Sequence, residues 1–402
     1  MSLNMKLEHM YKLHTFEIPT TIKHGIDSIQ SIGNEVKQLG VSKALLVTDP
    51  GIYEAGVTQP VEKHLKKAGI EVVIFNKVEP NPPVRLIAEG SKLYREKGCN
   101  GLVAVGGGSS MDTAKGIGVE ATHQGSVLEY EAAEGKKPLE NRIPPLTTIP
   151  TTAGTGSEVT QWAVITDEKR AFKFNTGGPL IAAHLTIIDP KLHVSMPSHV
   201  TAMTGIDALA HAIECFTMHF AQPITDAVAL LAMEYVGKYI RRAYADGGDL
   251  EARYGMAQAA MLAGLSYGSE SAGAAHAMSQ TLGGILPVAH GQCVAAMLGP
   301  VMEYNWKGHP HKFARIAQAL GIDTFHMTTE EAAKAAVNEI YQLVKDLDIP
   351  TLEEQGVSPN MIERLSKEAI KDPQTIGNPR DLTEKDYQWI YKRCFDLVAK
   401  TV

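Results

Sequence analysis

Gly101-Leu102-Val103-Ala104-Val105-Gly106-Gly107-Gly108-Ser109-Ser110-Met111-Asp112-Thr113-Ala114-Lys115 decides how the first half of this chain folds. The opening run is apolar without alternation, as a strand buried on both faces requires. Three glycines then break it, and the following small and apolar residues suit a helix. The same order of strand, turn and helix recurs on either side. Lys43 to Asp49 reads as a buried strand, Gln59 to Ala68 as a helix with Pro60 in its first turn, and Glu71 to Phe75 as the next strand. Val84 to Lys97 reads as a second helix and Pro145 to Pro150 as a further strand. Strands alternating with helices imply a parallel sheet covered on both faces.

The pattern changes near Asp189-Pro190. Beyond it, β-branched runs give way to segments rich in Ala, Leu and Met with helical periodicity: His199 to His219, Pro223 to Ala245, Asp249 to Tyr267 and Thr329 to Leu347. We therefore expect two domains, residues 1–190 and residues 191–402. The Pro- and Asn-rich stretch from Asp372 to Asp381 is expected to be an ordered loop before a last helix.

Composition narrows the function classes. A hydrophobic fraction of 44%, a charged fraction of 21% and a net charge of −7 describe an ordinary globular protein and argue against a nucleic-acid surface. No apolar run is long enough to cross a bilayer, so no membrane partner is expected. Cys99, Cys215, Cys293 and Cys394 form no Cys-x-x-Cys pair, which suits packing residues in a reducing, cytoplasmic setting.

Two loops could hold a phosphate. In Gly106-Gly107-Gly108-Ser109, the absence of side chains and the start of a helix favour close approach of an anion to backbone N–H groups. A tight turn needing positive φ would use the same residues. Pro150-Thr151-Thr152-Ala153-Gly154-Thr155-Gly156-Ser157-Glu158 also follows a strand; Thr155 and Glu158 have capping-box spacing, so a capped helix start is the alternative. Asp49, at the end of the first clear strand, could accept from ribose hydroxyls and repel a 2′-phosphate, or serve the Asp49-Pro50-Gly51 turn.

The second half carries Asp207 and His211, four apart and so on one helix face, together with His276 and His290. One carboxylate and three imidazoles suit a divalent transition metal such as Fe²⁺ or Zn²⁺. A plain Asp–His hydrogen bond would also explain the first pair, and with 15 histidines in the chain coincidence is a real competitor.

Taken in order, the glycine loop with Asp112 and Lys115, the segment Pro150 to Glu158, the run Gly205-Ile206-Asp207-Ala208-Leu209-Ala210-His211-Ala212-Ile213-Glu214, and His276 with His290-Gly291 resemble the iron-containing, or group III, alcohol dehydrogenases. The resemblance implies an α/β N-terminal domain with a parallel Rossmann-like sheet, followed by an all-α C-terminal domain that binds metal and substrate. It implies Asp207, His211, His276 and His290 as metal ligands. It also implies Gly107, Gly108 and Ser109 at a pyrophosphate, Thr151, Thr152 and Lys173 at the cofactor, Asp112 near the nicotinamide end, and Asp49 favouring NAD over NADP. The expected activity is NAD-dependent interconversion of a small primary alcohol and its aldehyde in a homodimer or larger homo-oligomer, for which an edge strand near residues 14–24 could pair between subunits.

Two departures bear on the substrate. Gln280 stands where many members carry a second histidine, and Ser269 to Gly273 differs from the usual Asn- and Leu-containing version. Rival readings on the same fold are glycerol or diol oxidation and hydroxyacid–oxoacid transhydrogenation. A dehydroquinate synthase-like reaction would call for a basic pocket, and no Lys/Arg cluster flanks His276 or His290. A non-catalytic metal- and nucleotide-binding scaffold is the alternative of another class.

Overall fold

The structure is a computed structural model, described over residues 13–133, 135–170, 172–268, 272–286 and 288–399. Six parallel strands form one sheet: β1 (Thr21–His24), β2 (Lys43–Val47), β3 (Glu71–Phe75), β4 (Gly101–Gly106), β5 (Leu146–Pro150) and β8 (Leu185–Ile188), in spatial order β1-β8-β5-β4-β2-β3. The period of two along β2 divides its side chains between two cores. Leu45 and Val47 pack with helices α4 (Val84–Glu96) and α5 (Gly108–Thr122); Ala44 and Leu46 pack with α1 (Ile32–Gln38) and α3 (Gln59–Lys67). A short helix, α2 (Pro50–Glu54), follows β2.

Chain order reverses around β2: β3 lies on one side of it and β4 on the other. Loops leaving neighbouring strands at such a reversal diverge and open a crevice at the strand C-termini. Asp49 and Gly106 to Gly108 stand there.

A two-stranded antiparallel hairpin of β6 (Trp162–Asp167) and β7 (Phe172–Gly177), not expected from the sequence, aligns Thr166 with Lys173. Its strands are short and alternate in burial, and only β6 has an apolar run, the four residues Trp162 to Ile165.

The remainder is helical: α6 (Ser198–Thr217), α7 (Pro223–Ala245), α8 (Leu250–Gly268), α9 (Ala274–Ile285), α10 (His290–Asn305), α11 (Pro310–Ala319), α12 (Thr329–Asp346), α13 (Ile362–Ala369) and α14 (Glu384–Ala399). One Ala-, Leu- and Met-rich core joins them. The stretch from Asp372 holds a single 3₁₀ turn, Pro373–Gly377, ahead of α14. All four cysteines are buried and none forms a disulfide. Among the described residues no helix is long and apolar enough to cross a membrane.

Candidate metal and dinucleotide site

Helices α6, α9 and α10 meet at one point. Small residues make the approach possible: a Cβ on Gly291 would lie 2.9 Å from the Met203 carbonyl oxygen and 3.5 Å from Asp207 Cβ. This places His290, the first residue of α10, beside Asp207 on α6. His276 enters from the first turn of α9.

Asp207, His276 and His290 each offer a donor atom within 4.8 Å of the others. Asp207 Oδ1 lies 3.6 Å from His276 Nε2 and 3.8 Å from His290 Nε2. Those gaps are too long for hydrogen bonds. Two ligand atoms about 2.1 Å from a shared tetrahedral ion stand roughly 3.4 Å apart, so the spacing suits one cation. Asp207 Oδ1 and His276 Nε2 are buried and without a hydrogen-bond partner, as is His211 Nδ1. Leaving such atoms unpaired is costly. His211 lies outside the close trio; its ring stacks on His276 with centroids 4.3 Å apart. The structure thus gathers three of the four expected residues into one donor set and packs the fourth against it.

Glu214 is a functional residue that the ligand pattern in the sequence does not single out. Its carboxylate accepts from the Gly273 and Ala275 amides at 3.0 and 2.7 Å, capping α9, and from His276 Nδ1 at 2.5 Å. Carboxylate–imidazole pairs of this kind leave Nε2 free to ligate. The signal was present: Glu214 is three residues after His211 and seven after Asp207, on the same helix face. Ser279 Oγ holds His290 Nδ1 at 2.9 Å in the same manner.

Electrostatics follow from these contacts. Burial opposes the Asp207 carboxylate, but His211, His276 and His290 together hold it well below the usual range. Burial pushes His211 down to about 4, with His276 adding to it. Burial also lowers His290, to about 3. Burial opposes charge on His276 too, yet Glu214 and Asp207 outweigh it and push that ring up to about 10.

At the crevice, the glycine loop and the second loop lock together. A Cβ on Gly108 would lie 2.8 Å from Thr155 Cγ2, and one on Gly107 would lie 3.3 Å from Thr152 Oγ1. Gly106 has φ of +149°. The glycines therefore serve loop packing as well as backbone exposure. No helix follows Thr155; its Oγ1 accepts from the Ser157 amide at 3.2 Å in a turn, which corrects the capped-helix alternative. The buried Lys115 ammonium donates to the carbonyls of Ser157, Thr160 and Trp162 at 2.8, 3.1 and 2.6 Å. Asp112 accepts from Ser157 Oγ at 2.6 Å and from the Val164 amide at 3.0 Å, so its carboxylate pins α5 to the second loop and to β6.

Asp49 Oδ1 caps α2 through the Ile52 amide at 2.9 Å, and Oδ2 faces Gly106. The turn role is therefore present, with one oxygen turned to the crevice. Ser109 lies in the first turn of α5; Thr151 is buried with Oγ1 unpaired, and Thr152 is half-buried. Lys173 is buried, and burial lowers it to about 8. Its Nζ comes within 2.7 Å of where a Gly283 Cβ would stand, so the hairpin reaches the metal-side helix α9. Of the divergent segment before α9, residues 269–271 lie outside the described residues.

A metal-ready donor set facing a doubly wound sheet is the frame of a metal-dependent dehydrogenase, and comparison with known proteins agrees. Residues 19–190 match the iron-containing alcohol dehydrogenase family, and residues 201–395 match its C-terminal region. The chain is 82% identical over 402 residues, 100% of both chains, to a choline dehydrogenase of Bacillus subtilis (strain 168). It is 38% identical to an NAD-dependent methanol dehydrogenase of Bacillus methanolicus, covering 94% of this chain and 98% of that one. Among solved structures, a 1,3-propanediol oxidoreductase superposes with a TM-score of 0.93 at 37% identity, over 96% of this chain and 100% of that one. The chain belongs to the iron-containing alcohol dehydrogenase family. It is an oxidoreductase that acts on alcohols, with a metal and a nucleotide as cofactors.

Proposed function

We propose that this enzyme oxidises choline, a primary alcohol carrying a quaternary ammonium group, to its aldehyde with NAD. The observation that carries this reading is full-length similarity at 82% identity to a choline dehydrogenase. The proposed metal ligands are Asp207, His211, His276 and His290, and the spacing of three donors about an otherwise unpaired Asp207 Oδ1 supports them. Such a set suits Fe²⁺ and Zn²⁺ alike; the family's iron favours Fe²⁺. The proposed dinucleotide contacts are Asp49, Gly107, Gly108, Ser109, Asp112, Thr151, Thr152 and Lys173. Asp49 Oδ2 beside Gly106 supports NAD over NADP, since a carboxylate there repels a 2′-phosphate.

When bound, the cation supplies Lewis acidity toward the substrate hydroxyl and the dinucleotide supplies the hydride acceptor. The chain's own part is alignment. Glu214 keeps the proton of His276 on Nδ1, Ser279 fixes the His290 ring, and Tyr267, with its ring 4.9 Å from that of His211, closes one wall. Lys173 brings a positive charge to the dinucleotide side of α9. The overall change is alcohol plus oxidised dinucleotide to aldehyde plus reduced dinucleotide and a proton.

We also propose that residues 1–190 and 191–402 are the two domains; β8 ends at Ile188 and α6 starts at Ser198, which supports that division. The outer edge of β1, unpaired among the described residues, supports a homodimer or larger assembly, and four cysteines without a disulfide support a cytoplasmic setting. The test is NADH formation by metal-loaded enzyme with choline, 1,3-propanediol, glycerol and methanol. Choline should give the highest kcat/KM. A flat trace with choline beside turnover of another alcohol would end the choline reading.

A further inference from the structure

Gln374 has no use in the fold as described. It is 6% exposed, and both Oε1 and Nε2 are buried without a hydrogen-bond partner. A buried carboxamide is normally satisfied, and an unpaired one is destabilising. Its backbone, by contrast, is tightly held. The Asp372 carboxylate accepts from the Gln374 amide at 2.9 Å, Thr375 Oγ1 shares a 2.7 Å hydrogen bond with Tyr387, and the Gly377 carbonyl accepts from the His219 amide at 3.2 Å. The turn Pro373–Gly377 packs on α9, the helix that brings His276 to the metal position. At Gly377 it closes so far that a Cβ would lie 2.7 Å from the Ala272 carbonyl oxygen.

Asp372 adds charge to the same turn. Its carboxylate has no ion-pair partner among the described residues; burial raises its pKa to about 6, while the Gln374 amide and the His276 ring favour its charged form. The field of Asp372 also reaches Tyr267, whose ring lies nearly parallel to that of His276 with centroids 6.5 Å apart. A rigid turn that carries an unpaired dipole and a carboxylate without a cation partner therefore packs on the helix that bears His276, and the Tyr267 ring lies against His276 itself. A quaternary ammonium group offers no N–H to donate. It is held by the negative ends of dipoles, by aromatic faces and by carboxylates.

We propose that the turn 372–377 is the receiving wall for the substrate's cationic end, with Gln374 as the specificity-determining contact and Asp372 as its counter-charge. The proposal rests on the choline reading above. It explains why a polar side chain is buried with nothing to bind: its partner arrives with the substrate.

The test compares choline with its neutral carbon isostere, 3,3-dimethyl-1-butanol, on metal-loaded wild type, Asp372→Asn and Gln374→Leu. Asparagine keeps an acceptor for the Gln374 amide and removes the charge. Leucine keeps the volume and removes the dipole. Each variant should lower the choline-to-isostere ratio of kcat/KM by roughly tenfold, through the KM for choline, the change expected for one lost charge or dipole contact of about 1.4 kcal/mol. Calorimetric binding of tetramethylammonium, which needs no turnover, should weaken in parallel. A ratio within twofold of wild type in either variant, or unchanged tetramethylammonium binding, overturns the proposal. A purely structural Gln374 predicts the opposite for leucine: a higher melting temperature and an unchanged ratio. If wild type fails to oxidise choline at all, the choline reading falls first, and the two failures are distinct.

Discussion

Glu214→Gln is the sharpest perturbation of the proposed metal centre, because it changes one atom and almost no volume. Glu214 is buried and accepts three hydrogen bonds, from the Gly273 amide, the Ala275 amide and His276 Nδ1. Glutamine has one oxygen and one NH₂ with which to meet them. Keeping the oxygen on Ala275 points the NH₂ at two donors, the Gly273 amide and the imidazole. The His276 contact is recovered only if Nδ1 gives up its hydrogen and accepts. The ring proton then sits on Nε2, the atom 3.6 Å from Asp207 Oδ1 that metal binding needs free. Loss of such an orienting partner costs about 10–100-fold in metal affinity. At about 1.4 kcal/mol per factor of ten this is roughly 1.4–2.8 kcal/mol. The orphaned Gly273 amide adds about 1–3 kcal/mol to the cost of folding. Chelator competition with Zn²⁺ and Fe²⁺ reads the first quantity, and denaturant unfolding of metal-free protein reads the second. A folded Glu214→Gln enzyme that binds metal within twofold of wild type would refute the reasoning, since His276 would then be either unoriented by Glu214 or no ligand.

Three further outcomes follow from particular contacts. Gly108→Ala should weaken dinucleotide binding about tenfold or more while sparing metal affinity, because its Cβ meets Thr155 at 2.8 Å; fluorescence titration checks the first and chelator competition the second. Lys115→Met should destabilise the protein by about 3–5 kcal/mol in denaturant unfolding, because it leaves the Ser157, Thr160 and Trp162 carbonyls without a donor and Asp112 without its neighbouring charge. Metal-free protein should lose stability as pH falls from about 6.5 toward 4. His184, His193 and His211, lowered to about 4 mainly by burial, and His290, lowered to about 3, are neutral when folded and take up protons on unfolding. Glu158, raised by burial to about 7, and Asp372, raised to about 6, release protons on unfolding and partly offset this. A melting temperature that stays flat or rises over that window would contradict it.

Four of the six sheet strands, β2 to β5, were legible as short, mostly apolar runs, whereas β8 (Leu185–Ile188) was not read and β1 was expected only as an edge strand near residues 14–24. Their boundaries needed little correction: Lys43–Val47, Glu71–Phe75 and Leu146–Pro150 stand where the runs placed them. The hairpin bearing Lys173 was not legible, since its residues alternate around a half-buried ribbon with no core of their own. For the metal residues, spacing pointed to Asp207 and His211 as a pair, yet the closest donor set joins Asp207 to two histidines far along the chain. That contact depends on how three helices cross, and the crossing depends on where a Cβ is missing. Gly273 and Gly291 are ordinary loop glycines in the sequence; in the fold they admit Glu214 and Asp207 to within contact of the next helix. Gln374 carried no signal at all, because an unsatisfied side chain is visible only once every neighbour is placed.

The loop from Thr151 to Thr160 gives the two poles of the site a common mechanical origin. On one side it touches the cradle: Thr152 and Thr155 fill the space over Gly107 and Gly108. On the other it touches the helices. A Cβ on Gly154 would lie 2.6 Å from Thr204 Cβ on α6, and one on Gly156, with φ of +63°, would lie 2.4 Å from Gly264 Cα on α8. Lys115, Asp112 and the Ser157 hydroxyl then fix the loop to α5 by buried hydrogen bonds. Asp207 lies one turn beyond Thr204 on α6. The distance between the proposed dinucleotide cradle and the proposed metal donors is therefore set by packed backbone rather than by long side chains that could adjust. Hydride transfer tolerates little error in distance, so substitutions at Gly154 or Gly156 should depress kcat more than they weaken either cofactor alone. That pattern would set the loop apart from residues that only bind.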